Sequence, residues 1–261
     1  MSLQNHNHVA GGKLSGINGP TSTSSQGIYE ESSTAKHRIG EKIELADGRC
    51  FRYGQSGAAV AAGVLVSTDV SATCLAETDN IIIASAGRFS IAIGSSAIQI
   101  TLASVTKNQY AGGILHITDD AGEGHQYRIK SNSATDFTTT DKVDIDLFDS
   151  LVVAVSTASD VAITGNLWTE LIGAVAATDY IMAGVSPIAF TDAYYGWFQT
   201  TGVATVLADG TITVGDTLTL SDGVAGAAQT RDAYTEPIVG HALFAPDSSG
   251  HMAVMLTGLV A

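Results

Sequence analysis

The apolar residues of this chain come in short runs, several of them alternating with polar ones. Gly, Asp, Asn and Ser cut the runs about every 8–12 residues, the spacing of turns in an all-β chain. Val143-Asp144-Ile145-Asp146-Leu147 alternates strictly, and so does Thr211-Ile212-Thr213-Val214. Alternation puts successive side chains on opposite faces, so these segments can bury one face as strands and not as helices. The expected fold class is all-β: β-barrel or sandwich domains built from hairpins, with a flexible N-terminal arm. Two Ala-rich stretches, 58–65 and 167–177, are where a short helix would cost least.

The tetrapeptide LADG occurs twice, at 45–48 and 207–210. Taken as a three-residue loop, Ala46-Asp47-Gly48 sets Ile43 opposite Phe51. Leu45 and Tyr53 join them on one face, and Glu44, Cys50 and Arg52 fall on the other. Ala208-Asp209-Gly210 treated likewise sets Leu207 against Thr211, Val206 against Ile212 and Ala204 against Val214. A two-residue loop mixes the faces, so the apolar pattern selects the longer one. Gly then stands third, where the chain needs a left-handed residue, and Asp can accept hydrogen bonds from nearby backbone amides. Turn chemistry accounts for every residue of LADG, and a catalytic Asp is not needed to explain it.

Residues 1–37 are rich in Gly, Ser, Thr and Asn without a period, which predicts the arm. Residues 38–75 and 191–261 each carry an LADG hairpin and are expected to form one β-barrel-like domain together. Residues 76–190 are expected to be an inserted or second β domain. The run LIGAVAATDYIMAGVSPIAF, 171–190, is apolar enough to suggest a membrane span, but Asp179 and Pro187 interrupt it. It is read as core strands, and no membrane partner is expected.

Composition narrows the function. Lys and Arg number 12 against 26 acidic residues, for a net charge of -14, so nucleic-acid binding is not expected. Only 15% of residues are charged while 45% are hydrophobic, a balance suited to a subunit that neighbours cover. The opening MSLQNHNHVAGGKLSG has no apolar run of a secretory signal. Cys50 and Cys74 are accordingly read as thiols in a reducing compartment, a disulfide being the alternative.

His6 and His8 form a close pair in the arm; His37, His116, His125, His241 and His251 are scattered, without the ligand spacing of a zinc site. Asp119, Asp120 and Glu123 crowd a Gly-rich turn that could offer oxygen ligands to a hard cation, although an ordinary hairpin turn explains them as well. Asp144, Asp146 and Asp149 form a row that could do acid–base work, and equally marks the wet face of a strand. AGEGHQYR lacks the third Gly and the helix of a dinucleotide loop. Tyr194-Tyr195-Gly196-Trp197-Phe198 is either a core strand or an aromatic platform for sugar or a partner. The expectation is no catalytic, cofactor-binding or metal site, and no enzyme.

Three long stretches carry a resemblance. RIGEKIELADGRCFRYGQSGAAVAAGVLV resembles the opening of the capsid decoration, or cement, proteins of tailed bacteriophages. GGILHITDDAGEGHQYRIKSNSATDFTTTDKVDIDLFDSLVVAVSTASDVAI is similar to a middle segment of such proteins. VATVLADGTITVGDTLTLSDG, with PIVGHALFAPDSSGHMAVMLTG after it, is similar to the closing β-barrel half of small cement domains. The resemblance covers most of 38–261 and leaves the arm unmatched.

It implies a structural virion protein without enzymatic activity or cofactor. Such a protein is made in the host cytoplasm and binds the outer surface of the expanded phage head. There it stabilises the lattice of the major capsid protein, commonly as a homotrimer. The arm would wrap a partner and order on binding. The alternative is a receptor-binding or tail-fibre-type β module, with the YYGWF cluster touching host glycan.

Overall fold

A computed structural model of the protein describes residues 26–68, 75–83, 89–136, 141–174, 181–244, 250–257 and 259. The fold is all-β, with no helix among the described residues. The chain divides into two compact units. One draws its described residues from 1–68 and 170–261, the other from 69–169.

In chain order the first unit begins with β1 (Lys42–Glu44), β2 (Cys50–Gln55) and β3 (Leu65–Thr68). The second unit holds β4 (Leu75–Ile82), β5 (Ala97–Thr101), β6 (Ile114–Ile117), β7 (Gln126–Asn132), β8 (Lys142–Leu147) and β9 (Asp160–Thr164). The first unit resumes with β10 (Leu171–Gly173), β11 (Ile181–Val185) and β12 (Tyr195–Leu207). It ends with β13 (Thr217–Leu220), β14 (Ala228–Thr230), β15 (Gly240–Ala242) and β16 (His251–Thr257).

In the second unit the antiparallel order is β4-β9-β6-β7-β8-β5. An antiparallel bridge between Ile83 and Ile100 then brings the two ends together, so the sheet closes on itself. Closure leaves no free edge. The alternation seen in the sequence at 143–147 fills the inside: Val143, Ile145 and Leu147 are buried, with Ile98, Ile100, Leu115, Ile129 and Val161. Each such side chain contributes about 1.5–3 kcal/mol on leaving water.

The sheet of the first unit follows β10-β3-β11-β12-β16-β15-β13-β14, with β1 and β2 joined through β12. Its ends also meet. Gly226, just before β14, donates its N–H to Ala174 O at 2.6 Å, and Leu65 of β3 donates to Gly226 O at 2.8 Å. Inside lie Leu65, Val206, Leu218, Val239, Met252 and Val254. A second cluster, Ile43, Phe51, Tyr53 and Trp197, sits where β1, β2 and β12 join.

The first LADG behaves as its pattern predicts. Ile43 pairs with Phe51 and Glu44 with Cys50, and Gly48 N–H donates to Leu45 O. Gly48 has φ 83° and Gly210 φ 79°, both left-handed. Asp47 Oδ1 accepts the Arg49 N–H at 3.1 Å, and Oδ2 accepts from Arg49 Nε at 2.7 Å. Those bonds, the backbone one foremost, hold the Asp47 carboxyl below its ordinary range. A depressed folded pKa stabilises the fold above the ordinary carboxylate pKa, and that contribution is lost as pH falls through the folded value. The site is exposed, so Asp47→Ala is expected to cost under about 1 kcal/mol at neutral pH. The difference from the parent, read by urea unfolding, should vanish below the carboxylate range; a loss that persists in acid would refute this account.

The second LADG is not a hairpin loop, which corrects the expectation. Thr201–Leu207 pair rung for rung with Thr257–His251 of β16, and Leu207 N–H donates across the other edge to Gly63 O. Both edges of β12 are therefore occupied, and 211–214 cannot fold back along it. Ile212 turns inward, but Val214 is 63% exposed, so alternation fails there too. Asp209 instead accepts from Ser221 Oγ at 2.5 Å.

Three further expectations change. Neither 58–65 nor 167–177 is helical where described: the first leads into β3, the second into β10. Strands β10 and β11, from the 171–190 run, belong to the first unit, where both pair with β3. The return to that unit thus comes at 170, before the residue 191 that the sequence suggests. Lastly, residues 26–37 of the arm are packed. Tyr53 donates its hydroxyl to Gln26 Oε1 at 2.6 Å, Trp197 Nε1–H donates to Gln26 O at 3.1 Å, and Ser32 bridges to Tyr195. Residues 1–25, with His6 and His8, lie outside the described residues.

Candidate interaction surface

The acidic clusters are spent on local structure. Asp119, Asp120 and Glu123 occupy the loop between β6 and β7. Asp119 Oδ1 accepts the Asp120 N–H at 2.8 Å, Asp120 Oδ2 accepts from Ser156 Oγ at 2.6 Å, and Glu123 N–H donates to Asp120 O. On β8, Asp144 Oδ1 accepts from Gln99 Nε2 at 2.6 Å and Asp146 Oδ2 from Ser131 Oγ at 2.7 Å, while Asp149 is exposed in the loop beyond. No group of three or more His, Cys, Asp or Glu converges into a metal-ligand set among the described residues.

The histidines stay apart. His37 packs between Tyr53 and Trp197, with ring centroids 5.2 and 4.9 Å away. His116 meets Thr164 Oγ1 at 3.0 Å, and His125 Nδ1 meets Gly122 O at 3.0 Å. Cys50 is a buried free thiol, and Cys74 lies outside the described residues.

The Trp and Phe of YYGWF are core residues. Trp197 and Phe198 are fully buried, and Phe198 stacks on Phe190 with centroids 4.5 Å apart. Alternate residues of β12 face opposite sides, so Trp197 enters one apolar cluster while Phe198 packs on the other side of the strand. Two of its rings, Trp197 and Phe198, are thus inside the protein, while Tyr194 and Tyr195 are half-buried.

What the fold does present is an uncharged sheet face. Along β12 and β16 the even residues Ala204, Val206, Met252, Val254 and Leu256 point inward. The odd residues point out. Cross-strand register places them in rows: Thr201 with Thr257, Val203 with Met255, Thr205 with Ala253 and Leu207 with His251. Strand β15 extends the second row, because His241 pairs with Met255. Leu243 N–H donates to Ala253 O and extends the third. These positions hold no Asp, Glu, Lys or Arg, in a chain of net charge -14. Val203 is 45% exposed, Met255 41% and Leu243 45%, and Phe244 beside them 61%.

The face runs into a cleft of about 260 Å³ lined by Tyr29, Val185, Pro187, Val203 and His251, among others. Gln199 reaches along the cleft wall, its Nε2 donating to Thr201 O at 3.0 Å and Val203 O at 2.9 Å. Tyr29 is largely exposed at the rim. Charge enters with Arg49, which lines the cleft and lies against Gly202.

Sequence reasoning missed this face, although a signal was there. Residues 195–207, 237–244 and 250–259 contain no charged side chain. Absence of charge over three segments is invisible to a search for motifs, and only the register shows that the three lie side by side. Compared with known proteins, the chain matches no family model, no curated protein and no solved structure.

Proposed function

We propose that this chain is a structural virion protein, a capsid decoration or cement protein. In this reading it sits on the outer surface of a tailed-phage head as a homotrimer and binds the major capsid protein, with no enzymatic activity, cofactor or nucleic-acid partner. The observation that carries the reading is the uncharged outer face of β12, β16 and β15. An exposed apolar surface framed by charge is the anatomy of an interface, with a desolvated centre and a polar rim. The resemblance of 38–261 to cement proteins supplies the partner. The closed second-unit barrel fits the role, since a sheet without edges resists unwanted pairing on a crowded shell.

Burial of Trp197 and Phe198 leaves only Tyr194 and Tyr195 of the YYGWF cluster partly accessible, which weighs against a glycan-binding fibre module. Quantitative mass spectrometry of purified particles of the source virus tests the proposal. Copies of the same order as the major capsid protein are expected. A few copies per particle would move the chain to the tail, and none would end the virion reading.

A further inference from the structure

We infer that the cleft beside β12 is a strand-addition site: it takes an extended peptide segment of a partner protein, with an acidic side chain of that segment at Arg49. The inference gives the protein partner of the proposed function a point of contact and to that extent rests on it, yet the site is tested without any capsid.

The backbone supplies the first half of the argument. In an antiparallel ladder, successive residues turn their N–H and C=O groups to opposite edges of the strand. On β12, Leu207 N–H donates away from β16, to Gly63 O. Val203 and Thr205 stand two and one alternations before Leu207, so their polar groups face that same second edge. The second edge is occupied at its ends. β11 pairs with it at Val185 and Gln199, and β2 reaches as far as Thr201. Val203 O accepts from Gln199 Nε2. Between there and Leu207, Val203 N–H, Thr205 N–H and Thr205 O have no hydrogen-bond partner among the described residues. Both residues are exposed, and both line the cleft. An unpaired strand edge is a template for one more strand.

The side chains supply the second half. Gln199 is only 5% exposed, and its Nε2 is committed to Thr201 O and Val203 O. That fixes the carboxamide with Oε1 unpartnered among the described residues, an acceptor at the cleft wall for an incoming N–H. Arg49 lines the same cleft, its stem lying against Gly202. Asp47 takes Arg49 Nε at 2.7 Å, and the Tyr29 hydroxyl lies 3.5 Å from Nη1. Nη2 keeps its donors for a ligand. No Asp or Glu is among the lining residues, so the contact charge of the cleft is that of Arg49. The net charge of -14 is spread over the chain, and salt screens it beyond about 8–10 Å. An extended acidic segment answers every one of these groups. Its carbonyls accept from Val203 and Thr205, its N–H groups donate to Thr205 O and Gln199 Oε1, and its carboxylate takes Nη2. A basic residue at the same place would meet a guanidinium.

Amide hydrogen exchange of the full chain, read residue by residue by NMR, is the test. In the isolated protein Val203 and Thr205 should exchange at least about a hundredfold faster than Val206, whose polar groups face β16. Slow exchange there would overturn the inference, because the edge would already be covered. Protection that grows with concentration would assign it to a second copy, and protection that does not to the chain's own residues.

The peptide acetyl-Thr-Val-Glu-Val-Thr-amide should slow both amides. Its Gln counterpart should bind about fivefold more weakly, the worth of one exposed ion pair. Arg49→Gln should make the two peptides equal. Val203→Pro removes one free donor and fills the gap without touching the ladder to β16, so it should bind neither peptide. Thr205→Pro replaces it if circular dichroism shows a disturbed fold. Failure of both peptides to slow Val203 and Thr205 would overturn the site, and equal binding of the two by the wild type would overturn the acidic assignment. On shells of the source virus, decoration that leaves both amides exchanging freely would remove the site and keep the proposed function. Peptide binding by a chain that does not decorate shells would do the reverse.

Discussion

Trp197→Ala is expected to destabilise the first unit by about 3–5 kcal/mol, the cost of removing a large buried aromatic. The indole is fully buried at the centre of a cluster with Ile43, Phe51 and Tyr53. Its loss opens a cavity where β1, β2 and β12 join. It also undoes the seat of residues 26–37, because Trp197 Nε1–H donates to Gln26 O and the ring packs on His37. Tyr53 holds the other side of that seat. Burial pushes its phenol above the ordinary tyrosine range, so it stays protonated and donates to Gln26 Oε1. Its oxygen accepts the Lys36 N–H at 3.0 Å. The variant should therefore show faster amide exchange at 26–37 than at β16, together with a lower urea midpoint. A loss below about 1 kcal/mol with unchanged exchange at 26–37 would show that the segment is held by something else.

That seat marks where composition stops predicting structure. The Gly, Ser and Thr content of 1–37 suggested an arm throughout, yet from Gln26 on the segment is fastened by individual polar atoms. Glu31 shows the same: its carboxylate accepts the Thr191 N–H at 2.7 Å and Thr191 Oγ1–H at 3.0 Å. Such bonds join residues 160 positions apart and leave no periodic trace. The two LADG copies give the matching contrast. The first was legible because both strands of its hairpin are adjacent in sequence, and the apolar pattern fixes the register. The second has the same residues and the same left-handed glycine, but strand pairing between 201–207 and 251–257 takes the edge. Long-range competition decided it, and a local pattern cannot show which neighbour wins. The alternation at 143–147 was reliable for the opposite reason: in a small closed barrel, inside and outside are the only choices. The uncharged face lies between these cases. Its three segments read as ordinary strands one by one, and they acquire meaning only when side by side.

Gly240→Ala is expected to cost about 3 kcal/mol, the upper part of the usual range for overpacking, because the obstacle is backbone. Gly240 is buried in β15 opposite Leu256. A Cβ there would run into Met255 O and come within 2.9 Å of Val254 Cγ1 and 3.0 Å of Met255 C. Neither the carbonyl nor the strand that carries it can turn away, since Val254 to Leu256 pair on their other side with β12. Strand β15 must move, and β13 is bonded to its far edge, with Leu218 opposite Gly240. The same shift carries His241 and Leu243 out of register with Met255 and Ala253, so it disturbs the uncharged face as well as the core. The variant should unfold at lower temperature than the wild type. If Gly240→Ala melted with the wild type while β15 kept its register, the close approach of β15 to β16 would not be what holds this side of the sheet.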